Sequence, residues 1–246
     1  MLENGLENTL DVWSQVMDRL AEVTTVCASN RAGLGLSDPR PAPHGSSSAV
    51  DDLHAALASA HLPSPYVIVG ASFGGLDAQL FARRFPDQVA GVVLIDAIAP
   101  GWDRQLEAIL TPTQVADRRA IPNGEDMTNE HIRASEDLVA AGPPFPTTPL
   151  VVIRHGIPFP GGPDWPTDNV EALWTSLQEG LAQLSPKSAV LVAADSGHRI
   201  IRANPTLWSM PYAPRSTQRT GRRRSSLRRP SAAKPPRRCP EHSTVT

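Results

Sequence analysis

Cysteine is nearly absent from the chain: Cys27 and Cys239 are the only two in 246 residues. Cys27 sits in an apolar run and Cys239 in a polar tail, which makes no disulfide framework, so a reduced, cytoplasmic protein is expected. No apolar stretch approaches the ~20 residues needed to span a membrane. No basic-then-apolar leader follows Met1. No internal repeat is visible. The net charge of −2 is small but segregated, because ten of the 23 Lys and Arg fall between Arg215 and Arg238, where there is no Asp or Glu. The rest of the chain is therefore acidic, and nothing in it suggests a nucleic-acid surface.

What is present is an alternation of strands and helices, on a chain long enough for one large α/β domain. The opening Met1–Leu6 reads as the end of a strand breaking into a glycine loop. A helix carrying Trp13, Val16, Met17 and Leu20 on one face follows, then a strand at Val23–Ala28 and a glycine-rich loop at Asn30–Pro39. Ser48 to His61 is a helix with Ser48 as its cap and Val50, Leu53 and Leu57 as its buried stripe. Gly91–Asp96, Leu150–Arg154 and Ala189–Ala193 are short apolar runs typical of buried parallel strands, and Val170–Leu184 is a leucine-striped helix. These features predict a doubly wound, mostly parallel sheet with flanking helices.

Residues 97–149 show no strand signal and read as a helical lid inserted into a core made of 1–96 and 150–207, with helix starts at Thr111/Pro112 and Thr128. An amphipathic helix is due after Pro205. Instead, 208–246 is Arg/Ser/Pro-rich low complexity that cannot build a core. Two readings of this tail stand: a basic segment that binds nucleic acid or anionic lipid, and the product of a reading-frame shift. The second is favoured because the change falls where a core element is due.

The chemistry concentrates at Tyr66–Gly75, where a β-branched run leads into Gly70-Ala71-Ser72-Phe73-Gly74 and at once into a helix with Leu76, Leu80 and Phe81 on one face. Such a strand–turn–helix presents a strained, exposed serine hydroxyl. Small residues flank it because the two backbones approach closely. The Phe73 amide lies at the positive end of the helix, suited to a developing oxyanion. Serine attack also needs a base and an orienting acid. His198, in Ser196-Gly197-His198 after the last strand, is placed to be the base; His155, ending a strand, is its competitor. Asp96, directly at a strand end, is the first choice of acid, and Asp168 and Asp164 remain open alternatives.

Taken in order, Glu3-Asn4-Gly5, Asn30-Arg31-Ala32-Gly33-Leu34-Gly35, Gly70-Ala71-Ser72-Phe73-Gly74-Gly75, Leu94-Ile95-Asp96 and Ser196-Gly197-His198 resemble the α/β-hydrolase fold superfamily, most of all its serine esterase-like branch with a short helical cap. The resemblance covers roughly Met1 to Leu207. It implies Ser72 as nucleophile, His198 as base, and an oxyanion hole from the amides of Phe73 and the Gly5-Leu6 loop. It implies no metal or cofactor. The expected partner is a small apolar ester, thioester or lactone, cleaved through an acyl-enzyme, with no membrane partner. Serine at the elbow speaks against haloalkane dehalogenases and epoxide hydrolases, which attack through a carboxylate. A C–C bond hydrolase and a non-catalytic or truncated hydrolase-fold protein are the alternatives. Relative to the superfamily, the chain reads as shortened at its N-terminus and altered at its C-terminus.

Overall fold

The computed structural model describes residues 1–41, 44–120 and 132–203. Along the chain these form β1 (Leu2–Glu3), a 3-10 turn (Leu10–Trp13) running into α1 (Ser14–Leu20), α2 (Ser46–Ser59), β2 (Tyr66–Ala71), α3 (Gly74–Arg84) and β3 (Val89–Ile95). Then come α4 (Trp102–Ile109), α5 (Pro112–Ala120), α6 (Ile132–Ala141), β4 (Leu150–His155), α7 (Thr167–Ala182), β5 (Ser188–Ala193) and α8 (Ile200–Ala203).

Strand alternation divides the molecule into layers, since successive side chains point to opposite faces. Ile68, Val92, Leu94, Leu150 and Val152 join one core with Val50, Leu53 and Leu57 of α2, Leu76, Leu80 and Phe81 of α3, and Trp174 and Leu181 of α7. Val69, Ala71, Ile95 and Ile153 face the other way, against Trp13, Val16 and Ile200. Both faces of β2, β3 and β4 are thus covered by helices, as their near-continuous apolar strands require.

All pairings in the five-stranded sheet are parallel, in the order β1-β2-β3-β4-β5. The expected strand at Val23–Ala28 shrinks to isolated bridge positions at Val26 and Ala28, the latter parallel to Leu2 and supported by a hydrogen bond from the Leu2 N–H to the Cys27 carbonyl at 2.9 Å. The neighbour it has there, β1, is two residues long and offers no further ladder. The chain therefore steps from β1 outward to Ala28 and returns through α2 to β2 on the other side of β1. That reversal opens a crevice at the carboxyl ends of β1 and β2, where open parallel sheets bind their ligands. Ser48 lies in the first turn of α2 rather than capping it, exchanging hydrogen bonds with Gly45 (3.3 and 3.0 Å). Cys27 is disulfide-bonded, where a reduced thiol was expected; the other cysteine, Cys239, lies outside the described residues.

The turn between β2 and α3 depends on two glycines. A β-carbon on Gly70 would fall 2.2 Å from the Gly74 carbonyl oxygen, and one on Gly74 would fall 2.6 Å from the carbonyls of Glu3 and Asn4. Backbone, not a pliable side chain, occupies each space. Gly70→Ala is expected to lower stability by about 1–3 kcal/mol or more, read as a reduced urea midpoint at unchanged slope. An unchanged midpoint would mean that strand and helix can part freely.

Between β3 and β4 the described segment is helical and tied by charge. Asp103 pairs with Arg118 and Arg133, and Arg119 pairs with Glu107 at 2.8 Å. The helix start expected at Thr128 lies outside the described residues, although the helix it was to open is present as α6. Buried Glu136 of α6 accepts the N–H groups of Gly101 (2.7 Å) and Asp103 (3.2 Å) at the start of α4. Burial raises its pKa to about 7, against the opposing effect of those two backbone donors. A carboxyl raised on folding stabilises the fold below its unfolded pKa and loses that contribution as pH rises through the folded value. Relative to Glu136→Gln, which cannot ionise, the wild-type chain should therefore lose up to about 3 kcal/mol between pH 4.5 and 8. Urea unfolding of both proteins across that range measures it.

Edge strand β5 leaves Val190, Leu191 and Val192 between 41% and 48% exposed. The helix expected after Pro205 and the basic tail at 208–246 both lie outside the described residues. No described helix is long and apolar enough to cross a membrane.

Candidate active site

Ser72 stands between the last residue of β2 and the first turn of α3 with φ of +50°, a left-handed conformation that a non-glycine residue adopts only when its surroundings impose it. Three hydrogen bonds impose it here. The Ser72 N–H donates to the Ile95 carbonyl (3.0 Å), and the Ser72 carbonyl accepts from the N–H groups of Gly75 and Ile98 (both 3.0 Å). The hydroxyl then meets His198: its Oγ lies 3.0 Å from Nε2, and Nδ1 of the same ring lies 2.6 Å from Oδ2 of Asp96. With the Nδ1 proton donated to Asp96, Nε2 is left to accept the serine proton.

Asp96 follows β3, also at positive φ (+44°), and is fully buried. Its carboxylate accepts four bonds. Oδ1 takes the backbone N–H of His155 (3.0 Å) and the indole N–H of Trp174 (2.9 Å). Oδ2 takes Nδ1 of His198 and Nδ1 of His155, each at 2.6 Å. These fill the roughly four lone-pair positions of a carboxylate. Burial alone would raise the Asp96 pKa, but the hydrogen bonds and charges of His155 and His198 outweigh it and lower the pKa to about 2.

His155, the rival base in sequence, lies on the far side of Asp96 from Ser72. Its Nε2 is 2.9 Å from Oε2 of Glu171, whose Oε1 accepts the Phe159 N–H at 2.7 Å. Burial works against a charge on His155, yet the bonds and charges of Asp96 and Glu171 prevail and raise its pKa. Asp164 and Asp168 are not brought to His198. The Asp164 carbonyl binds Gln114 at 2.7 Å, and Asp168 lies in the first turn of α7.

Donor atoms of Asp96, His155 and His198 all lie within 4.8 Å of one another. A tetrahedral metal would hold its ligand atoms roughly 3.3 Å apart at zinc-like bond lengths. The 2.6 Å separations are those of shared protons instead.

The Gly5-Leu6 loop lies against the serine, with the side of Gly5 that a β-carbon would occupy 3.3 Å from Ser72 Cβ. Arg31 holds this loop from behind by donating to the carbonyls of Asn4 (2.7 Å) and Gly5 (2.9 Å). Because a trans peptide sets N–H opposite C=O, fixing the Gly5 carbonyl on Arg31 turns the Leu6 N–H away from Arg31. Phe73 opens α3, buried beneath the Arg31 guanidinium at 5.1 Å. An aromatic group lines the other side of the site: Phe159 and Trp174 lie 5.3 and 5.8 Å from the His198 ring, and Trp102 stacks with Trp174 edge-on at 4.7 Å.

Sequence reasoning missed the parts played by Arg31, Glu171 and Trp174. A signal existed for the last two, since positions three apart on a helix share a face. Strands β3 and β4 are in register, Ile95 opposite Ile153, and that register also brings the ends of the two strands, Asp96 and His155, side by side.

A parallel sheet with helices on both faces and a serine elbow facing a histidine at the carboxyl ends of the strands defines the α/β-hydrolase fold, and the chain has that fold. Residues 1–118 match the sequence profile of the family described as alpha/beta hydrolase fold. An esterase from Thermogutta terrifontis superimposes with a TM-score of 0.56 at 19% identity, over 84% of each chain. The mouse alpha/beta hydrolase domain-containing protein 10 does so with a TM-score of 0.56 at 17% identity, over 84% of each chain. An uncharacterized protein of Schizosaccharomyces pombe is 37% identical over 84 residues, which is 34% of this chain and 16% of the yeast protein's length.

Proposed function

We propose that the protein is a serine hydrolase that cleaves a small ester, thioester or lactone through an acyl-enzyme. The observation that carries this reading is the continuous line Ser72 Oγ–His198 Nε2 (3.0 Å) and His198 Nδ1–Asp96 Oδ2 (2.6 Å), with the serine held at positive φ at the start of a helix.

In this mechanism Ser72 attacks the substrate carbonyl while His198 takes its proton. Buried Asp96 holds the ring in the tautomer that leaves Nε2 free and offsets the charge that forms. The negative oxygen of the tetrahedral intermediate is stabilised by the N–H groups of Phe73 and Leu6, the latter on a loop that Arg31 pins. On collapse, His198 returns the proton to the departing alcohol or thiol, and a water deprotonated by the same ring releases the acid. For a lactone the leaving oxygen stays on the acyl chain.

Phe159, Trp174 and Trp102 favour an apolar group beside His198, with α4 to α6 as the covering lid. Purified protein should react with a fluorophosphonate at Ser72, located by peptide mass spectrometry, and should hydrolyse p-nitrophenyl esters of short acyl chains. A folded sample that is not labelled at Ser72 would instead favour a non-catalytic ligand binder.

A further inference from the structure

Two histidines press on one carboxylate oxygen in this site, and only one of them faces the serine. His155 is 2% exposed and lies between two acids, Asp96 at 2.6 Å from Nδ1 and Glu171 at 2.9 Å from Nε2. A neutral imidazole carries one N–H and one lone pair. Whichever ring nitrogen lacked its proton would then face a carboxylate oxygen as acceptor against acceptor, in a site largely shut off from water. Glu171 offers no simple remedy. Its other oxygen already accepts the Phe159 N–H at 2.7 Å, and its side chain is 21% exposed, which suits an ionised group.

We propose that His155 is a permanent imidazolium held between Asp96 and Glu171, and that the His155–Glu171 pair positions the acid of the triad and weakens its pull on the His198 proton. The proposal rests on the serine-hydrolase reading for its effect on the reaction, but not for the charge on His155.

The geometry has two consequences. First, the Asp96 carboxylate cannot rotate. One oxygen is clamped by the His155 N–H and the Trp174 indole, and the other by both imidazoles. Second, the charge of His155 opposes that of Asp96 at His198. An imidazole beside an uncompensated carboxylate retains its proton to higher pH. With a second cation on that carboxylate, Asp96 turns less of its negative charge toward His198.

The titratable groups facing His155 are Asp96 from the end of β3, Glu171 from α7 and His198 from the loop after β5. On its own strand, Arg154 donates to the His155 carbonyl at 3.1 Å. Phe159 and Trp174 contribute uncharged rings, at 4.7 and 6.1 Å. The elevated pKa of His155 agrees with this balance. The position has a topological logic as well. β4 runs beside β3, so its final residue is delivered to the back of whatever acid ends β3.

The test uses the full chain and two readouts. Nitrogen-15 spectra of the imidazoles, with His155 assigned by the signal lost in His155→Gln or displaced in Glu171→Gln, report its charge without any substrate. Both ring nitrogens should be protonated at pH 7 in the wild type, and Glu171→Gln should release that proton at lower pH. The rate of Ser72 labelling by a fluorophosphonate, followed against pH, reports the effect on His198. In His155→Gln the acidic limb of that profile should move up by roughly half a unit to one unit, as removal of a nearby partly compensated charge would produce. A neutral His155 at pH 7 in the wild type overturns the proposal, as does a His155→Gln limb that coincides with the wild-type limb. Should His155→Gln not fold, the wild-type and Glu171→Gln spectra still decide the charge. A wild-type protein that shows a charged His155 but no Ser72 labelling removes the hydrolase reading and leaves the ion pair standing.

Discussion

Ser72→Ala is expected to abolish fluorophosphonate labelling and to lower kcat for ester hydrolysis by about 10³-fold or more, approaching the ~10⁶-fold losses seen when a serine nucleophile is removed. The loss should appear in kcat and leave KM nearly unchanged, because the Phe73 and Leu6 amides and the aromatic wall do not involve the hydroxyl. The fold should survive. The Ser72 backbone bonds to Ile95, Gly75 and Ile98 are made by main-chain groups that alanine keeps, although alanine tolerates φ of +50° no better than serine does. Thermal melts and initial rates on the two proteins decide the point. A variant that retained wild-type turnover would place the nucleophile elsewhere.

Asp96→Asn should be nearly as damaging to rate and much more damaging to stability. Replacing the acid of such a triad with its amide costs about 10⁴-fold in kcat, since the imidazole is then free to settle in the wrong tautomer. Here the amide also meets too many donors. Asp96 accepts from the His155 main chain, the Trp174 indole and two imidazoles. An asparagine must turn its NH₂ toward two of these and leaves His155 with the partly exposed Glu171 in place of two counter-charges. Breaking a buried pair in this way costs about 3–5 kcal/mol, measurable as a lowered urea midpoint. The pH dependence follows the same logic. A carboxylate whose folded pKa is lowered to about 2 contributes stability above its unfolded value and loses it as pH falls through the folded one. The wild-type protein should therefore approach the variant's stability in strong acid, where Asp96 protonates.

Both variants probe a site that was only partly visible in the chain. The elbow at Gly70–Gly75 was legible because each requirement is local: a β-branched strand, small residues where backbones meet, and an amphipathic helix starting at once. His198 was legible from its place after the last strand. The covering of both sheet faces was legible from the apolar strands, each with residues for two cores. The strand expected at Val23–Ala28 does not form a ladder, because apolar content carries no information on how short its neighbour β1 is.

The order of elements, the serine elbow and the candidate base were determined by the sequence itself, because strand and helix periodicities and backbone-strained turns are written in neighbouring residues. Which carboxylate meets His198 was decided only by tertiary structure. Sequence favours Asp96 over Asp164 and Asp168 only by its place at a strand end, and the parallel register of β3, β4 and β5 sets that end beside the loop that carries His198. That same register brings His155 against Asp96 from 59 residues away, and α7 then supplies Glu171 and Trp174. Contacts between strand ends depend on which strands lie side by side, and no local pattern carries that information.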